Sequence, residues 1–134
     1  MDAEDFCRML TEKGVAADVV LFDPPYSPTQ MKAVYDSIGI KHDDGGSNAK
    51  LYARVRRAFE PMVKVGGVVL TFGWNTHGMM TSRAYAREAL LVVCHGQAHN
   101  DTLCLCERKV QGGLFDTANA RNQGLAPQEK TDDK

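Results

Sequence analysis

Two short stretches combine acceptors and aromatic rings in a way that could do chemistry: Asp23-Pro24-Pro25-Tyr26 and Gly73-Trp74-Asn75. Successive prolines fix φ and remove two backbone donors, so the carbonyls of Asp23 and Pro24 are not consumed by continued ladder pairing and can face a ligand. The Asp23 carboxylate is a further acceptor, and Tyr26 offers an aromatic platform. Two acceptors match the two N–H groups of an exocyclic amine while the planar ring that bears it stacks. In the second stretch Trp74 suits a pocket wall and Asn75 a polar contact. The competing reading is that Asp-Pro-Pro simply ends a strand.

These residues meet only if both stretches lie at the carboxyl ends of neighbouring strands, where open α/β sheets bind their ligands. The pattern places them there. Asp18-Val19-Val20-Leu21-Phe22 is an apolar, β-branched run that predicts a strand buried on both faces. Val68-Val69-Leu70-Thr71-Phe72 repeats that signature after Gly66-Gly67. Phe6, Met9 and Leu10 predict a first helix over 2–14, closed by Gly14. A short helix over 30–37 precedes a loop through His42-Asp43-Asp44-Gly45-Gly46. Ser47 or Asn48 then caps a helix carrying Leu51, Val55, Phe59 and Met62, with a kink or restart at Pro61 and an end at Gly66-Gly67. Further predicted elements are a helix over 82–90, a strand over 91–94, a turn over 96–100 and a strand over 102–107. The resulting β-α-β-α-β-β order implies an α/β fold with a mainly parallel sheet and an antiparallel hairpin at its C-terminal edge.

At 134 residues, with 43% apolar and 25% charged side chains, the chain suits one globular domain and excludes collagen, coiled coil or wholesale disorder. Residues 1–110 form that domain, and the polar, aperiodic stretch 111–134 is a disordered tail. A net charge of -1 confines any nucleic-acid contact to a local basic face. Lys50, Arg54, Arg56, Arg57 and Lys64, against Glu60 alone, are the candidates, although such residues are ordinarily a helix's solvated face. No apolar run approaches the roughly 18 residues of a membrane span, and the acidic N-terminus differs from a signal peptide. Cys7, Cys94, Cys104 and Cys106 lack paired metal-ligand spacing and fit free thiols in a reducing cytoplasm. His95 and His99 have an i, i+4 spacing, but Gly96 and the adjoining strands favour turn hydrogen bonds over a metal, so no metal site is expected. His77 is read as an exposed loop residue.

The run from Val19 to Ser27 resembles the (D/N/S)-P-P-(Y/F/W) motif of amino-group methyltransferases that use S-adenosylmethionine, most of which act on adenine N6 or cytosine N4 in DNA. Asp2-Ala3-Glu4-Asp5-Phe6 resembles the stretch that precedes their catalytic strand, and Gly66-Gly67 with the run 68–72 resembles their next strand. Phe72-Gly73-Trp74-Asn75, His95-Gly96 and His99-Asn100-Asp101-Thr102 are similar to a small phage and prophage adenine-specific group. Together these blocks span about residues 2–109.

The resemblance implies a partial Rossmann-like fold and S-adenosyl-L-methionine as cofactor. Asp23, Pro24, Pro25 and Tyr26 would be catalytic, Asp2 would approach the cofactor's adenine, and Ser27, Trp74 and Asn75 would contact substrate. A target adenine would flip out of DNA to reach them. One departure is plain: the glycine turn that lets such enzymes approach the cofactor's methionine end does not occur. The first, cofactor-side strands are expected to be absent or supplied elsewhere, and a partner chain or a second copy to cover the edge of strand 18–22. The alternatives are a non-catalytic remnant or partner subunit, and methylation of RNA or protein.

Overall fold

The computed structural model describes residues 1–39, 48–79, 84–96 and 100–112. The expected loop 40–47, His99 and nearly all of the tail therefore lie outside the described residues. Helix α1 (Ala3–Glu12) begins where the Asp2 carboxylate accepts the Glu4 N–H at 2.7 Å, with Glu4 and Asp5 complementing the positive end of the helix. It ends at Gly14, whose φ of 70° suits the turn into β1 (Ala17–Phe22). Helix α2 (Pro28–Ser37) has Ser27 as its cap and Pro28 in its first turn, two residues ahead of the expected start.

Helix α3 (Asn48–Phe59) gives way to a 3₁₀ turn, Glu60–Met62, that contains Pro61. The expected restart at Pro61 is thus present. The element does not run on to Gly66-Gly67, however, because β2 (Val63–Gly73) starts at once and carries both glycines. There the β1/β2 register jumps from Ala17↔Val63 to Val19↔Val68. The bulge needs its glycines: Gly66 has φ 86°, and a Cβ on Gly67 would lie 3.1 Å from the Asp18 carbonyl.

One expected helix is a strand. Residues 85–90, expected within a helix over 82–90, and residues 91–93, expected within a strand over 91–94, form the single strand β3 (Tyr85–Val93), which pairs antiparallel with β4 (Thr102–Lys109); residues 82–83 lie outside the described residues. Ala, Arg, Glu and Leu favour a helix locally, but the ladder to β4 outweighs propensities of a few tenths of a kcal/mol per residue. A bulge at Glu88 also turns its carboxylate onto the Arg108 guanidinium at 2.5 and 2.9 Å.

The strand order is β1-β2-β4-β3. β1 and β2 are parallel, and the β2/β4 and β4/β3 ladders are antiparallel. The sheet is mixed, with the parallel part confined to the β1/β2 pair and the expected C-terminal hairpin in place. Val55, Phe59 and Met62 pack on Val63, Val69 and Met79, with Val20, Phe22 and Leu10 at the margin. α1 joins α3 through a hydrogen bond from the Thr11 hydroxyl to the Ala58 carbonyl (3.0 Å) and an Arg54–Glu4 ion pair (2.9 Å).

The strand over 18–22 is not buried on both faces as its composition implied. Val20 and Phe22 meet the core, whereas Val19 and Leu21 are 56% and 68% exposed. Among the described residues β1 pairs only with β2. Two charges are buried where β4 meets the 3₁₀ turn: Lys109, 1% exposed, donates to the Glu60 and Val63 carbonyls at 3.2 and 3.0 Å, and its ammonium lies 3.4 Å from the Glu60 carboxylate. No helix among the described residues is long and apolar enough to cross a membrane.

Candidate active site

Parallel pairing of Phe22 with Thr71 sets the carboxyl ends of β1 and β2 side by side, so both chemistry-bearing stretches emerge together. Tyr26 links them. Its hydroxyl donates to Asp23 Oδ1 at 2.6 Å, and its ring packs edge-on against Trp74 with centroids 5.5 Å apart and planes at 61°. Asp23 is exposed, while Pro24, Pro25, Tyr26 and Ser27 are half-buried, so the turn is open to solvent on its acceptor side. The arrangement can hold a flat ring against aromatic groups while a fixed carboxylate accepts its N–H.

The phenol of Tyr26 is pushed up to about 12, first by burial and then by its hydrogen bond to Asp23, with Thr102 pulling the other way. An unfolded tyrosine titrates near about 10. Because the folded value is the higher one, this group contributes stability that is intact below about 10 and is lost as pH rises through about 12. In an ultraviolet titration, Tyr26→Phe should therefore remove one tyrosine step, the one near 12.

Other expected site residues carry structural hydrogen bonds. Ser27 accepts the Gln30 N–H at 3.2 Å as the cap of α2. Asn75 accepts the His77 N–H at 3.0 Å, closing its own turn. Asp2 uses one carboxylate oxygen on Glu4 and the other on the Tyr35 hydroxyl at 3.0 Å, which ties the start of α1 to α2. No hydrogen bond joins Asp2 to the Asp23–Tyr26–Trp74 group.

Gln30 and Tyr35 were not picked out from sequence. Gln30 accepts the Tyr26 N–H at 2.7 Å and so fixes the residue beside the proline turn. The Ser27-x-x-Gln30 spacing is a capping-box pattern and was the available signal. Tyr35 has no comparable signature.

His95 donates its backbone N–H to Asp101 and meets the Thr102 hydroxyl through its ring, both at 3.1 Å, which is the turn role expected of it. Among the described residues no group of His, Cys, Asp and Glu is arranged to hold a metal. Of the basic set, Lys50, Arg54 and Arg57 are exposed on α3, with Arg54 paired to Glu4; Arg56 donates to the Gly78 carbonyl, and Lys64 lies in β2 against Asp18.

No family model and no curated protein matches this chain. Among solved structures it is similar to TrmN from Thermus thermophilus, with a TM-score of 0.50 and 17% identity over 81% of this chain and 27% of that one. The architecture is that of a partial Rossmann-like α/β fold. A second solved structure, M1.HpyAVI, matches over 81% of this chain and 51% of its own, with 10% identity and a TM-score of 0.46. The chain thus spans about a quarter to a half of the length of these two solved structures.

The residues present do not by themselves fit S-adenosylmethionine. The Asp2 carboxylate is occupied by Glu4 and Tyr35, and the sequence holds no spaced glycine turn to cradle the cofactor's methionine end.

Proposed function

We propose that this chain is the amine-binding half of an S-adenosylmethionine-dependent methyltransferase that acts on the exocyclic amino group of a flat ring, adenine N6 in DNA above all. One observation carries this reading: an exposed Asp23, held by Tyr26 at 2.6 Å, stands at the end of β1 beside the Tyr26–Trp74 aromatic pair.

Asp23 and the Pro24 carbonyl would accept the two amine hydrogens, which leaves the nitrogen lone pair free to take a methyl group brought to it from the other side. The Tyr26 hydroxyl neutralises part of the carboxylate charge and fixes its orientation. No strong general base is required, because the amine sheds its proton during or after transfer, and positioning with acceptor electrostatics supplies the rate. A base stacked inside a duplex cannot reach this turn, so DNA would be read with the target flipped out. The cofactor is held jointly with a segment or chain that adds to the outer edge of β1, consistent with the poor fit of the residues present.

The test has two arms. Calorimetric titration of the purified chain with S-adenosylmethionine measures whether it holds the cofactor alone, and transfer of labelled methyl groups to DNA, RNA and protein pools identifies the acceptor. Label in DNA that disappears in Asp23→Ala supports the reading. Label confined to RNA or protein overturns the DNA substrate, and an Asp23→Ala variant as active as the parent overturns the site itself.

A further inference from the structure

The loop that presents Trp74 has no regular secondary structure after Gly73, yet its backbone is held at three points by charged side chains from three elements. Arg56 on α3 donates to the Gly78 carbonyl. Arg87 on β3 donates to the Thr76 carbonyl at 2.8 Å. Glu107 on β4, 1% exposed, accepts the Met79 N–H at 2.5 Å and faces Arg87 at 3.8 Å. Gly78 lies directly on that carboxylate: its φ is 40°, and a Cβ there would overlap the Glu107 side chain.

A buried carboxylate is an expensive way to fill space, since well-packed apolar residues in place of a whole buried charge group serve core stability as well or better. Burial pushes the Glu107 carboxyl up, while the Met79 N–H and the two arginines pull it back toward the charged form. The chemistry that a leucine could not supply is the acceptor for Met79 and the counter-charge for both guanidinium groups. Those bonds end on the segment carrying Trp74, whose ring meets Tyr26.

We infer that Glu107, with Arg56 and Arg87, is a positioning device that sets Trp74 against Tyr26 and so fixes the aromatic wall of the amine site. The assignment of that wall to an amine site rests on the proposed function, but the positioning of Trp74 does not. None of the three residues touches the reacting group; each acts through the 76–79 backbone.

Trp74 is the sole tryptophan of the chain, so intrinsic fluorescence reports this loop alone. Glu107→Leu strands Arg56 and the Met79 N–H and should melt below the parent; at a temperature where far-UV circular dichroism shows it folded, acrylamide quenching of Trp74 should rise roughly twofold or more as the loop loosens. Glu107→Gln, which still accepts the Met79 N–H, should restore part of the protection. Arg87→Ala removes only a half-exposed side chain and should also raise quenching, so the test survives if the leucine variant fails to fold. Thr11→Val breaks the α1–α3 hydrogen bond to the Ala58 carbonyl, which is made outside the loop, and should leave quenching at the parent value. Parent-level quenching in folded Glu107→Leu or Arg87→Ala overturns the inference, as does an equal rise in Thr11→Val. Failure of the parent to bind a single-stranded oligonucleotide bearing adenine would count against the proposed function while leaving the fluorescence result intact. Where transfer is measurable, the positioning role predicts a raised KM for the acceptor in Arg87→Ala.

Discussion

Asp23→Ala is expected to lower methyl transfer by about 10²- to 10³-fold, the usual cost of deleting one preorganised polar contact to a reacting group. Stability should stay within about 0.5 kcal/mol of the parent, because Asp23 is exposed and its hydrogen bond is with a neighbouring side chain. Asp23→Asn is the informative companion: the amide oxygen still accepts from an amine, so this variant should keep much more activity than alanine. Initial rates with labelled cofactor, set beside urea melts of the same preparations, provide the check. If alanine and asparagine fall equally, an acceptor role is wrong and the carboxylate's charge is what matters.

Lys109→Met is expected to have the largest effect on stability, a loss of about 3–5 kcal/mol, because removing one member of a buried ion pair strands the other. Glu60 is also buried, and the Glu60 and Val63 carbonyls would lose the ammonium donor. A single domain has only about 5–15 kcal/mol in hand, so the variant should be close to its unfolding transition at room temperature. Replacing both charges, as Glu60→Met with Lys109→Met, should recover a large part of the loss. Urea denaturation of the two single variants and the double variant measures the coupling directly. Additive losses would show that the pair does not act as a unit.

The strands β1 and β2 were legible because each is a short apolar run cut off by turn chemistry, and that cut is also what exposed the site. Asp23, Tyr26 and Trp74 could be named together without coordinates because open sheets collect ligands at carboxyl ends. The contact between Asp23 and Tyr26 could not, since it depends on a side-chain rotation at the turn. The first part of β3 was hidden because residues 85–90 are helical by propensity, and only the partner β4 makes them extended. The clamp on the Trp74 loop was hidden for a different reason. Arg56 and Glu107 are far apart in sequence, and a lone charge in an amphipathic pattern reads as a surface residue until the fold buries it.

The proline turn sits at the tip of the outermost ribbon of the sheet, and among the described residues that ribbon is laced along one side only. Such a ribbon can peel without breaking the rest of the sheet, and its chemistry leaves with it. Under the proposed function, gripping an amine and docking against the outer flank of β1 would therefore be coupled equilibria, whichever happens first lowering the free-energy cost of the second.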